Sequence, residues 1–189
     1  MARPRGFEEG EVLQTALMLF WKHGYDGTTM RMLSDATGVG VRGLVNVFGD
    51  KEQLFARVLA TYHDMAEGML ATVFDTPGLD AIELLFRGMA APVEADAINN
   101  SGCLMVNTVF NAGRAGTRFE PEIQAYREMF RSVFDASLRT ADISESGARA
   151  EFLVASLWGI LSHIRLSGST EAAGPMVDIV VQTLRSWET

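Results

Sequence analysis

Apolar residues recur every three or four positions through most of the chain, the period of helices that bury one face. Val12, Leu13, Ala16, Leu17 and Phe20 set the first such face and predict a helix over 8–23. Three acids, Glu8, Glu9 and Glu11, open it where the helix dipole favours negative charge. Gly24 can adopt positive φ and close it. Thr29 suits the N-cap of a second helix carrying Met30, Leu33 and Ala36. Thr37-Gly38-Val39 reads as a tight turn. A short third helix over 40–47 then carries Leu44, with Phe48 four residues on facing the same interior. Asp50 caps a fourth helix, whose apolar stripe runs Leu54, Val58, Tyr62, Met65, Met69, Val73.

Thr76-Pro77-Gly78 is the first clear break after that stripe. Beyond it, helices are predicted over 80–91, 102–111, 120–140, 146–167 and 173–187, with loops at 99–101, 112–116 and 167–169. No run alternates with period two over a useful length. The expected fold is therefore all-α, with about nine helices. Residues 1–52 form a three-helix domain in which the second and third helices make a helix-turn-helix. Residues 53–189 form a second helical domain.

Charge changes this picture in one respect. The net charge of −8 argues against a nonspecific nucleic-acid coat. A sequence-specific reader needs only a local basic face, and the acidity is unevenly spread: residues 1–52 carry a net −1 and the remainder −7. A single cysteine excludes an intramolecular disulfide framework. No N-terminal apolar stretch resembles a signal peptide. The longest useful apolar run, 152–161, is about ten residues, too short to cross a bilayer. A cytoplasmic protein with no membrane partner is expected.

The ordered set Ala16, Leu19, Phe20, Gly24, Tyr25, Thr28, Thr29, Thr37, Gly38, Val39, Leu44, Phe48, Lys51, Glu52, Leu54 and Phe55 resembles the TetR family of bacterial transcriptional regulators. The resemblance covers about fifty residues. It implies that the third helix enters the major groove of double-stranded operator DNA. It also implies that Thr28 and Lys51 approach phosphates, the first as a hydroxyl donor and the second beside free helix N–H groups. Within the recognition helix Arg42 is the only charge, and a guanidinium can bond guanine bidentately. Asn46 suits adenine or a phosphate, and Val41 a thymine methyl. Thr29 belongs to the same candidate surface. Arg3 and Arg5 lie in an N-terminal arm able to reach phosphates or the minor groove. The family usually has a small hydroxyl residue at Gly40, a polar or basic residue at Val41 and an aromatic at Val45, so this helix is unusually apolar.

The last two predicted helices carry a candidate homodimer interface. Ala155, Gly159 and Ser162 put small residues on one face, allowing another helix to approach closely. Met176, Ile179, Val180, Thr183, Leu184 and Trp187 make a broad apolar face. The resemblance implies an intersubunit four-helix bundle, and two-fold symmetry suits a palindromic operator. The segment Gly102-Cys103-Leu104-Met105-Val106-Asn107 is similar to a Gly-Cys-Leu-x-x-Asn segment in one TetR subgroup, some of whose members sense oxidants or electrophiles. A cysteine beside a helix N-terminus is the kind that becomes reactive. Phe86, Met89, Cys103, Asn107, Phe110, Tyr126, Phe130, Trp158 and His163 are the candidate lining of a pocket for an apolar or aromatic small-molecule effector, with Asn107 and His163 orienting it. The same side chains suit an ordinary core.

These features together predict a ligand-responsive repressor acting as a homodimer. The alternative is a helical ligand-binding or redox sensor without specific DNA binding, motivated by the apolar third helix. No enzyme is expected. Cys103 with His23, His63 or His163 has no spacing that demands catalysis, and no metal cluster, phosphate loop or cofactor motif is present.

Overall fold

The computed structural model describes residues 7–110 and 118–188. Among these, every regular element is helical and nine α-helices are present. They are α1 (Glu9–Gly27), α2 (Met30–Thr37), α3 (Val41–Phe48), α4 (Lys51–Val73), α5 (Leu79–Met89), α6 (Leu104–Phe110), α7 (Glu120–Thr140), α8 (Ser146–Ser167) and α9 (Gly174–Arg185). The predicted loop at 112–116 and the arm residues Arg3 and Arg5 lie outside the described residues.

Local chemistry accounts for the N-terminal boundaries. Gly24, at φ 74° and ψ 172°, interrupts α1 after His23, as its lack of a Cβ permits. The Thr29 side chain accepts from the Met32 amide and starts α2, and Gly38 in the left-handed region ends it. Asp50 and Gln53 form a reciprocal capping box at the start of α4: Gln53 N–H donates to Asp50 at 2.9 Å and Asp50 N–H to Gln53 at 3.1 Å.

One continuous core joins the two halves. Phe20 from α1 and Phe55 from α4 are fully buried with ring centroids 4.6 Å apart. Each such ring contributes roughly 1.5–3 kcal/mol through burial. Phe119, just before α7, meets both Phe55 and Tyr25, at 4.9 and 5.4 Å. The helices α7 and α8 pack along one another through Tyr126, Phe130 and Phe134 on one side and Leu153, Leu157 and Ile160 on the other. The helix α9 lies against α5 and α8.

Several expectations need correction. The α4 stripe follows Leu54, Val58, Ala66, Leu70 and then Phe74, so Met65 and Met69 stand at 47 % and 41 % exposure. The two methionines belong to the helix row one residue away, and this row rotates out of the core as α4 lengthens. Residues 99–101, expected as loop, belong to a 3-10 turn over Ile98–Ser101. Gly102 belongs to no helix: its φ is +70°, and a Cβ there would lie 2.5 Å from the Leu161 carbonyl oxygen. The chain turns sharply at Gly102 and α6 begins two residues later. The C-terminal helix stops at Arg185, and Ser186–Glu188 make a further 3-10 turn.

Replacing Asp50 by alanine removes half of the capping box. The expected cost is about 1 kcal/mol, read as a lower urea midpoint with an unchanged slope. An unaltered midpoint would show that the box contributes nothing to stability.

Candidate nucleic-acid interface and effector cavity

The pair α2–α3 meets around the left-handed Gly38. Leu33, Leu44 and Phe48 anchor it to the core. This fixes the rotation of α3 and leaves Val41, Arg42, Val45 and Asn46 exposed. The spacing of these four, i, i+1, i+4 and i+5, places them on one face. Arg42 has no hydrogen bond or ion pair among the described residues. Arg31, on the neighbouring α2, is highly exposed and pairs only loosely, at 3.9 Å, with Asp35, itself exposed.

Other predicted contact residues divide. Lys51 opens α4 with its ammonium 4.2 Å above the Tyr25 ring. Burial lowers its pKa, with Asp26 opposing and Arg118 adding to the effect. A cation in a helix's first turn opposes the dipole, so an anion placed beside it relieves that cost. Thr29 is exposed and caps α2, and its hydroxyl hydrogen remains available. Thr28, by contrast, is fully buried, and its hydroxyl donates to the Gly24 carbonyl at 2.8 Å. The α1 interruption frees that carbonyl, and Thr28 satisfies it. Its side chain is structural, and the expected phosphate contact does not fit this geometry.

A cavity of about 180 Å³ lies behind this unit, where α1, α4, α5, α7 and α8 converge on the Gly102 turn. Of the predicted pocket residues, Met89, Cys103, Tyr126 and Phe130 line it. Phe86 is buried in the core and does not line it, and neither do Asn107, Phe110, Trp158 and His163. The Asn107 side chain donates to the Ser101 carbonyl at 2.8 Å, so it ties the turn to α6. Sequence reasoning missed Trp21 and Tyr62. Trp21 lies on α1, assigned wholly to DNA binding, and Tyr62 sits on the apolar stripe of α4. Burial raises the pKa of Tyr62 and of Tyr126 well above the ordinary phenol value, with Cys103 the next cause for both. Cys103 Sγ donates to the Tyr126 hydroxyl at 3.5 Å.

The expected dimer face is partly internal. Val180 and Leu184 are buried within the chain, because α9 turns them towards its own core. Thr183 and Trp187 are half-buried. Ala155, Gly159, Met176 and Ile179 are exposed, while Ser162 is half-buried. Phe152 and Pro175 join Gly159, Met176 and Ile179 in an apolar groove between α8 and α9. A group able to hold a metal occurs once among the described residues, at His63, Asp64 and Glu67 on α4. Its two carboxylates are exposed, the ordinary geometry of a solvated helix face.

The model of the bacterial regulatory proteins of the tetR family matches residues 12–58, the segment that builds α1 to the start of α4. The repressor AcnR of Corynebacterium glutamicum is 31 % identical over 180 residues, covering 93 % of this chain and 91 % of its own length. The chain belongs to the tetR family. This tetR-family protein is a DNA-binding transcriptional regulator rather than an enzyme. The repressor ComR of Escherichia coli K12 is 42 % identical over 62 residues, a third of this chain and 30 % of its own length. Among solved structures, a cysteine mutant of the TetR family regulator CifR, complexed with a 26-base-pair operator, superposes with a TM-score of 0.82. It is 23 % identical, over 98 % of this chain and all of that one. The reduced form of Escherichia coli NemR gives a TM-score of 0.76 at 16 % identity, over 90 % of this chain and 93 % of that one. These likenesses establish the two-part helical fold. No helix among the described residues is long and apolar enough to cross a membrane.

Two outcomes follow from the site geometry. Thr28→Val keeps the shape and leaves the Gly24 carbonyl unsatisfied, so stability falls by about 1–3 kcal/mol while operator affinity of the folded protein is retained. Urea unfolding and an anisotropy titration separate the two quantities; lost affinity at full stability would restore the phosphate role. For Tyr62 and Tyr126 the folded pKa lies above the unfolded one. Their contribution is complete below about pH 10 and is lost as pH rises, because the unfolded chain ionises first. Urea midpoints therefore decline above that pH, and less steeply in Tyr62→Phe/Tyr126→Phe; equal slopes would contradict the assignment.

Proposed function

We propose that this regulator is an effector-responsive repressor that binds a palindromic operator as a homodimer. The observation that carries the reading is the free, exposed face Val41, Arg42, Val45 and Asn46 on a recognition helix held by a buried Leu44 and Phe48. Arg42 reads a guanine edge, Val41 and Val45 contact thymine methyls, and Asn46 reads adenine or bonds a phosphate. Lys51 and Thr29 fix the register on phosphates. Arg3 and Arg5 reach the flanking backbone or minor groove. With one charge on the reading face, much of the specificity rests on methyl contacts and DNA shape.

The apolar groove between α8 and α9 supports the dimer. Ile179 at 62 % and Phe152 at 43 % exposure are costly to leave in water, and Gly159 has open space over its Cα. The cavity, walled by the second half and by Trp21 of α1, is the effector site. A 1–52 and 53–189 division is functional more than physical, since α4 runs unbroken from the first part into the second. An effector that fits the cavity better in the DNA-incompetent form shifts the population away from the operator. The buried Cys103 at the cavity wall, in its Gly-Cys-Leu-x-x-Asn segment, packs against the tyrosines in the same site. The protein acts in the cytoplasm, where its operator is.

Selection of binding sites from random DNA gives the operator directly, and two variants then test the reading. Arg42→Ala is expected to cost about 1–3 kcal/mol and relax the preference at one base position per half-site, with the helical circular-dichroism signal intact. Ile179→Arg is expected to yield a folded monomer by light scattering, with half-site binding only. Undiminished affinity in the first, or an undiminished dimer in the second, would remove that residue from the account.

A further inference from the structure

We propose that the cavity takes a small uncharged molecule of single-ring size that carries a hydrogen-bonding group, and that Trp21 transmits its arrival to the DNA-reading helices. The proposal rests on the reading of this cavity as the effector site. Its volume of about 180 Å³ is near that of an apolar protein cavity known to admit benzene, about 150 Å³. No Asp, Glu, Lys, Arg or His lines it among the described residues. Burial keeps the two phenols protonated, so they supply no charge. An anion or cation entering would shed its water and meet no opposite charge.

The walls favour a ring. Trp21 stands edge-on to Tyr62 at 5.0 Å, Tyr62 stacks on Tyr126 at 5.8 Å, and Tyr126 meets Phe130 at 5.1 Å. Aromatic groups prefer these offset and edge contacts. The polar atoms cluster where the Tyr62 and Tyr126 hydroxyls meet Cys103 Sγ. The remaining hydroxyl, on Thr170, is already donated to the Ala91 carbonyl at 2.7 Å. A ligand therefore meets the hydroxyl–thiol cluster inside and the exposed Asn99 amide at the mouth, on walls that are otherwise largely apolar.

Trp21 links that enclosure to α1. Its indole N–H donates to the Gly102 carbonyl at 3.0 Å, 81 residues away in sequence. Gly102 is seated against α8, where an added Cβ would lie 2.5 Å from the Leu161 carbonyl oxygen, so the turn has little room to shift towards that helix. A ring that presses between Tyr62 and Trp21 moves the indole and not the turn. The neighbouring Phe20 and, beyond Gly24, Tyr25 pack on Phe55 at the base of the helix-turn-helix. Displacing Trp21 thus tilts α1 together with the helices it carries.

The test uses benzamide and benzoate, which share a ring and an outline and differ in charge. Ligand-detected NMR on the full-length protein is expected to show benzamide binding and benzoate at least about tenfold weaker. Benzamide shifts the Trp21 indole resonance, identified by its loss in Trp21→Phe. Met89→Trp fills the cavity and abolishes binding at an unchanged Tm; Met69→Trp, at the exposed side, serves if that variant unfolds. Benzoate binding as tightly, neither probe binding, or benzamide surviving the filled cavity would overturn the ligand class. In operator titrations run at benzamide concentrations that give equal occupancy of the two proteins, measured for each by ligand-detected NMR, benzamide weakens DNA binding by the native chain and not by Trp21→Phe. A full response in Trp21→Phe would overturn the transmission. Benzamide binding by a protein that recognises no operator would uphold the ligand class and refute the regulator reading, so the two failures differ.

Discussion

Aromatic packing between α1 and α4 is the constraint on which the rest of the structure depends. Phe20 and Phe55 are both fully buried, and Phe119 closes against Phe55 from the C-terminal half. This joint makes the helix-turn-helix unit an extension of the core that surrounds the cavity. A three-helix domain of about fifty residues would bury too little surface to be firmly stable by itself. Here α1 also packs on α6 and the 98–101 turn, and α4 runs unbroken from recognition helix to cavity. The position of α3 is therefore set by the same core that encloses the cavity.

The recognition helix follows a different economy. Two of its eight residues, Leu44 and Phe48, are buried, and Val41 and Val45 remain exposed. Two exposed β-branched residues lower helix propensity slightly and invite contact with another surface. Thymine methyl groups in a major groove are such a surface. The near-neutral charge of residues 1–52 limits nonspecific attraction to phosphates.

The sequence made the helix boundaries legible where chemistry is local. Thr29, Gly38 and Asp50 announced their caps, and the bounds of α7 and α8 coincide with the predicted ones. It made the exposed face of α3 legible through Leu44 and Phe48, whose burial fixes which side of the helix is free. It misled where a residue's role depends on distant neighbours. Thr28 looks like a surface hydroxyl until the Gly24 interruption gives it a carbonyl to satisfy. Trp21 belongs to a segment assigned to DNA and reaches Gly102 across 81 residues. Leu184 sits on a helix with two apolar faces, and periodicity alone does not say which of them a partner covers. His163 and Asn107 have the right chemistry for a ligand and the wrong direction.

The central claim is that the exposed α3 face reads a specific DNA sequence. Fluorescence-anisotropy titration against DNA from upstream of the protein's own gene, with scrambled competitor and at two salt concentrations, tests it most directly. The account predicts salt-sensitive binding that survives the competitor, at two protomers per site. Equal binding to scrambled DNA by the folded dimer, repeated with sites selected from random sequence, would contradict it.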